Sequence, residues 1–216
     1  MESAQEALAR LREGNQRFVA DIRGRRPVDR RTRRIELVAG QAPFAIILGC
    51  SDSRVPAEIV FDQGLGDLFV IRVAGNIVAP SQVGSVEFAA DRFGTQLVVV
   101  LGHSMCGAVQ ATLQELERPS AIRSPGLRSI VDRIRPAVAE LLDTELRHDA
   151  AALERHAIRA NIRSSVNNLR HGSQILEGLL RRDRLRVVGA EYALETGVVE
   201  FFDGAGEAGR ADRARG

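Results

Sequence analysis

Lysine and tryptophan are absent from this 216-residue sequence, tyrosine occurs once and cysteine twice. All 30 basic side chains are therefore arginines, and the 28 acidic residues leave a formal net charge of only +2. We attribute the missing lysines to genome bias rather than to a basic function of the protein.

Further absences exclude several classes of protein. No stretch approaches the roughly 18 to 20 consecutive apolar residues of a membrane span, so we expect no membrane partner. The first 14 residues are charged and lack the apolar core of a secretory signal, which predicts a cytoplasmic protein with reduced thiols. The GxGxxG, Walker and G-x-S-x-G motifs are missing, so neither a phosphate-binding loop nor a serine hydrolase is indicated.

The composition suits one folded domain. Hydrophobic residues make up 44% of the sequence, and a chain of this length can bury a sizeable core. We predict a single domain over residues 1–216, with an N-terminal helical arm at 1–35 and a disordered tail at 203–216.

Two apolar runs each end in glycine and lead directly to a side chain that can bind a metal. Phe44–Gly49 and Leu97–Gly102 are short, uninterrupted and rich in β-branched residues, as strands of a parallel sheet buried on both faces are. Cys50 follows the first run, and His103 and Cys106 follow the second. Because the carboxyl ends of parallel strands face one crevice, we expect these three side chains to converge.

The three side chains form a ligand set that suits zinc. Two thiolates and one imidazole are borderline-soft donors, and three protein ligands leave the fourth position of a tetrahedron open, as in catalytic zinc sites. Two alternatives are that both cysteines are small buried hydrophobic residues and His103 an ordinary turn residue, or that the cysteines form a disulfide.

Asp52 and Arg54 follow the first candidate ligand at a spacing of two. In an extended segment their side chains project to the same side, so the guanidinium can hold the carboxylate in a fork. Taken alone, the pair is typical of a surface salt bridge. Next to a metal site, such a pair is typical of the outer residues that orient the groups bound to the metal.

Taken together, these motifs resemble those of the β-class carbonic anhydrases. CSDSR at Cys50–Arg54 and HSMCGA at His103–Ala108 are similar to the paired C-x-D-x-R and H-x-x-C signature of that family. The resemblance also includes Glu13–Phe18, Pro56–Asn76, Gly84–Ala90 and Gly189–Phe202, and so covers nearly the whole chain.

The resemblance implies a lyase, carbonate dehydratase, that reversibly hydrates carbon dioxide to bicarbonate and a proton. It implies one Zn²⁺ per chain, held by Cys50, His103 and Cys106, and a zinc-bound hydroxide oriented by the Asp52–Arg54 pair. In a closed state of the family, Asp52 becomes the fourth ligand. Two other functions stay open from the residues: hydrolysis of CS2 or COS on the same scaffold, and a non-catalytic zinc-binding module.

The resemblance further implies a substrate pocket and an assembly. Gln41, Phe69, Phe88 and Gly107 match pocket positions of the family, although Phe88 stands where many members have tyrosine. In the family this pocket forms across a dimer interface, so a homodimer is expected, with a homotetramer as a further possibility.

The remaining pattern predicts an α/β fold with a central, mostly parallel sheet flanked by helices. We expect four parallel strands and one C-terminal antiparallel edge strand, which is also the fold that the resemblance implies. The predicted strands are Phe44–Gly49, Asp67–Val73, Leu97–Gly102, Leu185–Ala190 and Val198–Phe202.

Three further segments each lead to a separate prediction. Ser3–Val19 is an amphipathic helix whose apolar face covers either its own domain or, as the resemblance suggests, a partner subunit. Ser129–Arg147 is predicted as one long helix, kinked at Pro136. Ile22–Arg34 holds seven arginines, but interleaved acids and the lack of aromatic residues favour a solvated surface over a nucleic-acid site.

Overall fold

The structure is a computed structural model that describes residues 2–21, 30–118 and 124–205. Part of the arginine-rich segment, residues 22–29, and most of the predicted tail, residues 206–216, lie outside the described residues. Asp203, the first residue of that predicted tail, belongs instead to the last strand, where it pairs with Arg170 at 2.9 Å.

A five-stranded sheet forms the centre of the fold, in the spatial order β2-β1-β3-β4-β5. The four strands β1 to β4 are parallel, and β5 pairs antiparallel with β4 at one edge. The predicted fold class is therefore confirmed. The strands are β1 (Ala45–Gly49), β2 (Leu68–Arg72), β3 (Leu97–His103), β4 (Arg186–Tyr192) and β5 (Val199–Asp203).

Helices cover both faces of this sheet, and each predicted strand lies within two residues of its observed bounds. The helices are α1 (Ala4–Val19), α2 (Arg30–Leu37), α3 (Ala57–Val60), α4 (Pro80–Phe93), α5 (Gly107–Glu117), α6 (Pro125–Val138), α7 (Ala150–His171) and α8 (Gln174–Arg181). Short 3₁₀ segments occupy Ala74–Asn76, Ala139–Asp143 and Glu145–His148.

The predicted helix Ser129–Arg147 is wrong in its second half. The α-helix ends at Val138, two residues after Pro136, and two 3₁₀ segments follow. Proline removes one backbone donor from the helix, and Thr144 then starts a new segment because its hydroxyl accepts a hydrogen bond from the Leu146 amide. The α-helix therefore ends shortly after Pro136 instead of continuing with a kink at that residue.

The sheet buries a separate hydrophobic cluster on each face. Ile46 and Leu48 of β1 point into the cluster with α4 to α8, whereas Ile47 points into the cluster with α1 and α3. Helix α1 buries Leu8 and Leu11 in this second cluster. Of the two surfaces predicted for α1, the structure shows the one on its own domain.

Among the described residues, no helix is both long enough and apolar enough to cross a membrane.

Candidate metal centre

The carboxyl edge of the sheet brings the three candidate ligands together. Strand β1 ends at Gly49, which pairs with Leu101 of β3, so that Cys50 and His103 emerge side by side. The donor atoms of Cys50, His103 and Cys106 all lie within 4.8 Å of one another. The three residues, called the donor cluster below, are at most 5% exposed.

The state of His103 fits a metal ligand. Its Nδ1 lies 2.9 Å from the Ser104 carbonyl oxygen, and this carbonyl can only accept, so Nδ1 carries the proton. In the neutral ring that a metal ligand requires, Nε2 would hold a free lone pair, and in this structure Nε2 is buried with no hydrogen-bond partner among the described residues. A buried polar atom without a partner costs about 1–3 kcal/mol. Binding a cation through this nitrogen removes that cost.

Both cysteines are buried free thiols, which excludes the disulfide alternative for this structure. A hydrogen bond with Cys106 lowers the pKa of the Cys50 thiol, despite the opposing effect of burial. The same contact raises the pKa of Cys106. A nitrogen and two sulfurs at this spacing fit Zn²⁺, which prefers such ligands in tetrahedral sites.

Asp52 and Arg54 form the expected fork next to the donor cluster. Arg54 donates from Nε to Asp52 Oδ1 at 2.9 Å and from Nη2 to Oδ2 at 2.7 Å. These hydrogen bonds hold the pKa of the Asp52 carboxyl well below its usual range. Oδ2 of Asp52 also lies 3.9 Å from His103 Nε2. An ionised carboxylate therefore sits at the rim of the cluster.

Backbone contacts that the sequence analysis missed hold these residues in place. Arg72 donates from Nε to the Cys50 carbonyl at 3.0 Å and from Nη2 to the Asp52 carbonyl at 2.6 Å. Arg54 Nη2 also donates to the Met105 carbonyl at 3.2 Å. The register that pairs Gly49 with Arg72 places this arginine at the edge. The predicted end of β2 already places Arg72 at this edge, whereas its two hydrogen bonds are visible only in the structure.

The structure separates the four expected pocket residues. Gly107 follows Cys106 directly as the first residue of α5. Phe69 pairs with Ile46, three positions before the Gly49–Arg72 pair and so about 10 Å from the ligand-bearing edge. Phe88 is 54% exposed on α4, with its ring centroid 6.2 Å from that of Phe69.

Gln41 lies beyond the opposite end of β1 from Cys50. It is exposed and precedes Pro43, whose carbonyl accepts a hydrogen bond from the Thr95 hydroxyl at 2.8 Å. Thr95 itself lies just before β3, at the amino edge of the sheet. Gln41, Phe69 and Phe88, called the pocket group below, are therefore displaced from the donor cluster of the same chain.

The chain is similar to known carbonic anhydrases in sequence and in fold. The family model described as "Carbonic anhydrase" matches residues 45–199. Carbonic anhydrase 2 of Mycobacterium tuberculosis is 39% identical over 201 residues, which are 92% of this chain and 93% of that protein. The carbonic anhydrase of Mycolicibacterium smegmatis is 38% identical over the same length and the same shares of both chains. The solved structure of the β-carbonic anhydrase CcaA, 28% identical, covers 91% of each chain with a TM-score of 0.70.

Proposed function

Since the chain belongs to the β class of the carbonic anhydrase family, whose members interconvert carbon dioxide and bicarbonate, we propose that Cys50, His103 and Cys106 hold one Zn²⁺. The observation that carries this proposal is the unpartnered Nε2 of His103, within 4.8 Å of two free cysteine sulfurs. The relatives do not favour the alternatives, a CS2 or COS hydrolase and a non-catalytic zinc module.

Zinc bound at such a site supplies a Lewis acid that lowers the pKa of a coordinated water. The chain's own contribution is to position the reacting groups. Asp52 is ionised and held by Arg54, so it accepts a hydrogen bond from the reacting oxygen and directs the lone pair of that oxygen toward carbon dioxide. A carboxyl group with so low a pKa is a poor general base, and its role is orientation.

Asp52 has a second possible position in this proposal. Its Oδ2 is 3.9 Å from His103 Nε2, so the carboxylate is near enough to the donor cluster that Asp52 could itself hold the metal in the closed state that the family displays. The fork with Arg54 opposes that closed state, since both carboxylate oxygens would have to leave the guanidinium. We propose that the open arrangement is the active one.

A homodimer completes the substrate pocket in this proposal. The segment from Phe44 to Cys50 spans about 20 Å at roughly 3.3 Å per residue, and Gln41 lies beyond its far end. One substrate as small as carbon dioxide cannot contact both regions of one chain. We infer that the pocket group of a second copy, with Gly107 of the first, lines the site.

We also propose a cytoplasmic location. Its support is the pair of free thiols in the donor cluster, because the cytosol keeps cysteine reduced and able to bind metal.

Metal removal tests the proposed activity. Stopped-flow measurement of carbon dioxide hydration should show activity lost on treatment with a chelator and restored by added Zn²⁺. A Cys50→Ser variant should retain neither the metal nor the activity, whereas Ser81→Ala, on the exposed surface of α4, should retain both. A reduced, metal-free sample that remained fully active would contradict the proposal.

A further inference from the structure

The 3₁₀ turn Ala74–Asn76 supplies a hydrogen bond to one of the candidate ligands. The Gly75 amide donates to Cys50 Sγ at 3.3 Å. Gly75 has a φ of +70°, and a Cβ at this position would lie 2.8 Å from Ile134 Cδ1 and 3.1 Å from Ala108 Cβ. Only glycine can therefore occupy this position without displacing its neighbours.

Two buried side chains of α7 hold this turn from behind. Asn161 donates from Nδ2 to the Gly75 carbonyl at 2.8 Å, and Ser165 donates from its hydroxyl to the Asn76 carbonyl at 2.9 Å. The two residues are one helical turn apart and are 2% and 3% exposed. Consecutive carbonyls of the turn are thus fixed to a rigid helix that carries none of the ligands.

Fixing those carbonyls also fixes the direction of the amide. The peptide groups on either side of Gly75 share its φ and ψ angles, so a hold on the Gly75 and Asn76 carbonyls limits rotation of the Gly75 N–H. A donor aimed at a thiolate withdraws electron density from the sulfur and tunes its strength as a ligand, and the partners that orient such groups affect metal affinity.

We propose that Asn161 and Ser165 are positioning residues of the metal centre: through the Gly75 amide they set the donor strength of Cys50 toward the metal. This inference rests on the proposed zinc site. A purely structural role would satisfy the same two carbonyls, but it would leave the electronic properties of the bound metal unchanged when the two residues are altered.

Cobalt substitution separates the two roles. In the Co²⁺-substituted protein, Asn161→Ala should move the sulfur-to-cobalt charge-transfer absorption to lower energy, because Cys50 loses part of its hydrogen bond. The Kd for the metal, measured by chelator competition, should change by about tenfold or more. Ser165→Ala should shift the band in the same direction by a smaller amount, and it decides the matter if Asn161→Ala does not fold.

Asn15→Ala is the matched control. Asn15 is another buried asparagine, and its Nδ2 donates to the Val60 and Gly197 carbonyls at 3.1 and 2.8 Å in the cluster on the opposite face of the sheet. This variant should lose stability but keep the wild-type absorption. An unchanged absorption band in both α7 variants, or an equal shift of that band in Asn15→Ala, would overturn this inference but not the zinc site. A wild-type protein with no such band would overturn the zinc site as well.

Discussion

Arg54 connects the two segments of the chain that carry the donor cluster. Its guanidinium holds both oxygens of Asp52 and reaches the Met105 carbonyl, which lies between His103 and Cys106 along the chain. Met105 has a φ of +54°, which is uncommon for a residue with a side chain. The contact therefore ties the β1 segment to the strained turn that follows β3.

Replacing Arg54 with lysine should lower kcat/KM for carbon dioxide hydration by about 10- to 100-fold, because lysine keeps the charge but loses the planar fork. Stopped-flow assays at constant zinc content would measure this. Arg135→Lys is the control, since Arg135 approaches Asp132 only at 3.7 Å on the exposed face of α6. Equal activity of the wild-type and Arg54→Lys proteins would show that orientation of Asp52 does not depend on the fork.

At the scale of residues, the donor cluster could be predicted from the sequence, but the hydrogen bonds that hold it in place could not. Each ligand follows an apolar run, and the geometry of parallel sheets converts that position into proximity. The contact between Asn161 and Gly75 joins residues 86 positions apart. Neither residue belongs to a motif with a mechanism of its own, so only the packing of α7 on the sheet reveals the pair.

At the scale of elements, helix α1 approaches α3 closely at a glycine. A Cβ on Gly14 would overlap the backbone carbonyl oxygen of Phe61, and Gln63 Nε2 would also be too near. Gly84, inside α4, has no atom within 4 Å of the place where a Cβ would lie. The structure thus gives a steric reason for glycine at position 14 and none at position 84.

Alanine at these two positions should have effects of opposite sign. Gly14→Ala should lower the free energy of unfolding by about 1–3 kcal/mol through overpacking, whereas Gly84→Ala should raise it by about 0.5–1 kcal/mol because alanine loses less conformational entropy in a helix. Urea unfolding at unchanged m-value would measure both. Stabilisation by Gly14→Ala would mean that α1 does not lie against α3.

The elements were predicted unevenly for physical reasons. Buried parallel strands have a clear apolar pattern, from which β1, β3 and β4 were located, and shorter apolar runs located β2 and the antiparallel edge strand β5. The helical period after Ser129 continues past Val138, so the change to 3₁₀ geometry was not visible in the pattern. Helix α8 was not predicted; Ser173 caps it by accepting a hydrogen bond from the Leu176 amide through its hydroxyl oxygen.

At the scale of the whole molecule, the pocket group and the donor cluster of one chain lie at different ends of the sheet. Sequence resemblance gave the residues of both groups but not the distance between them. That distance depends on the direction and register of the strands. Gln41 comes before the first residue of β1, and Cys50 follows its last residue directly. The separation supports a site shared between two copies.

Mixed dimers test this sharing. If Cys50→Ser and Gln41→Ala chains are co-expressed with different tags and the mixed dimer is purified through both tags, it has one doubly altered site and one unaltered site, so its activity should approach about half of the wild-type level. Co-expressed Cys50→Ser and His103→Ala chains are the control and should not recover, because both changes affect the donor cluster. Activity no higher than the mean of the two separate variants would place Gln41 and Cys50 in the same subunit's site.

The spacing of the contacts along the chain has a consequence for biosynthesis. A ribosome releases Cys50 well before Cys106, and the parallel pairing of β1 with β3 must wait for both strands. Asn161 and Ser165 emerge later still, so all three ligands leave the ribosome before the two side chains that hold the Gly75 turn. The hydrogen bonds that hold this turn can therefore form only after the last third of the polypeptide has begun to emerge.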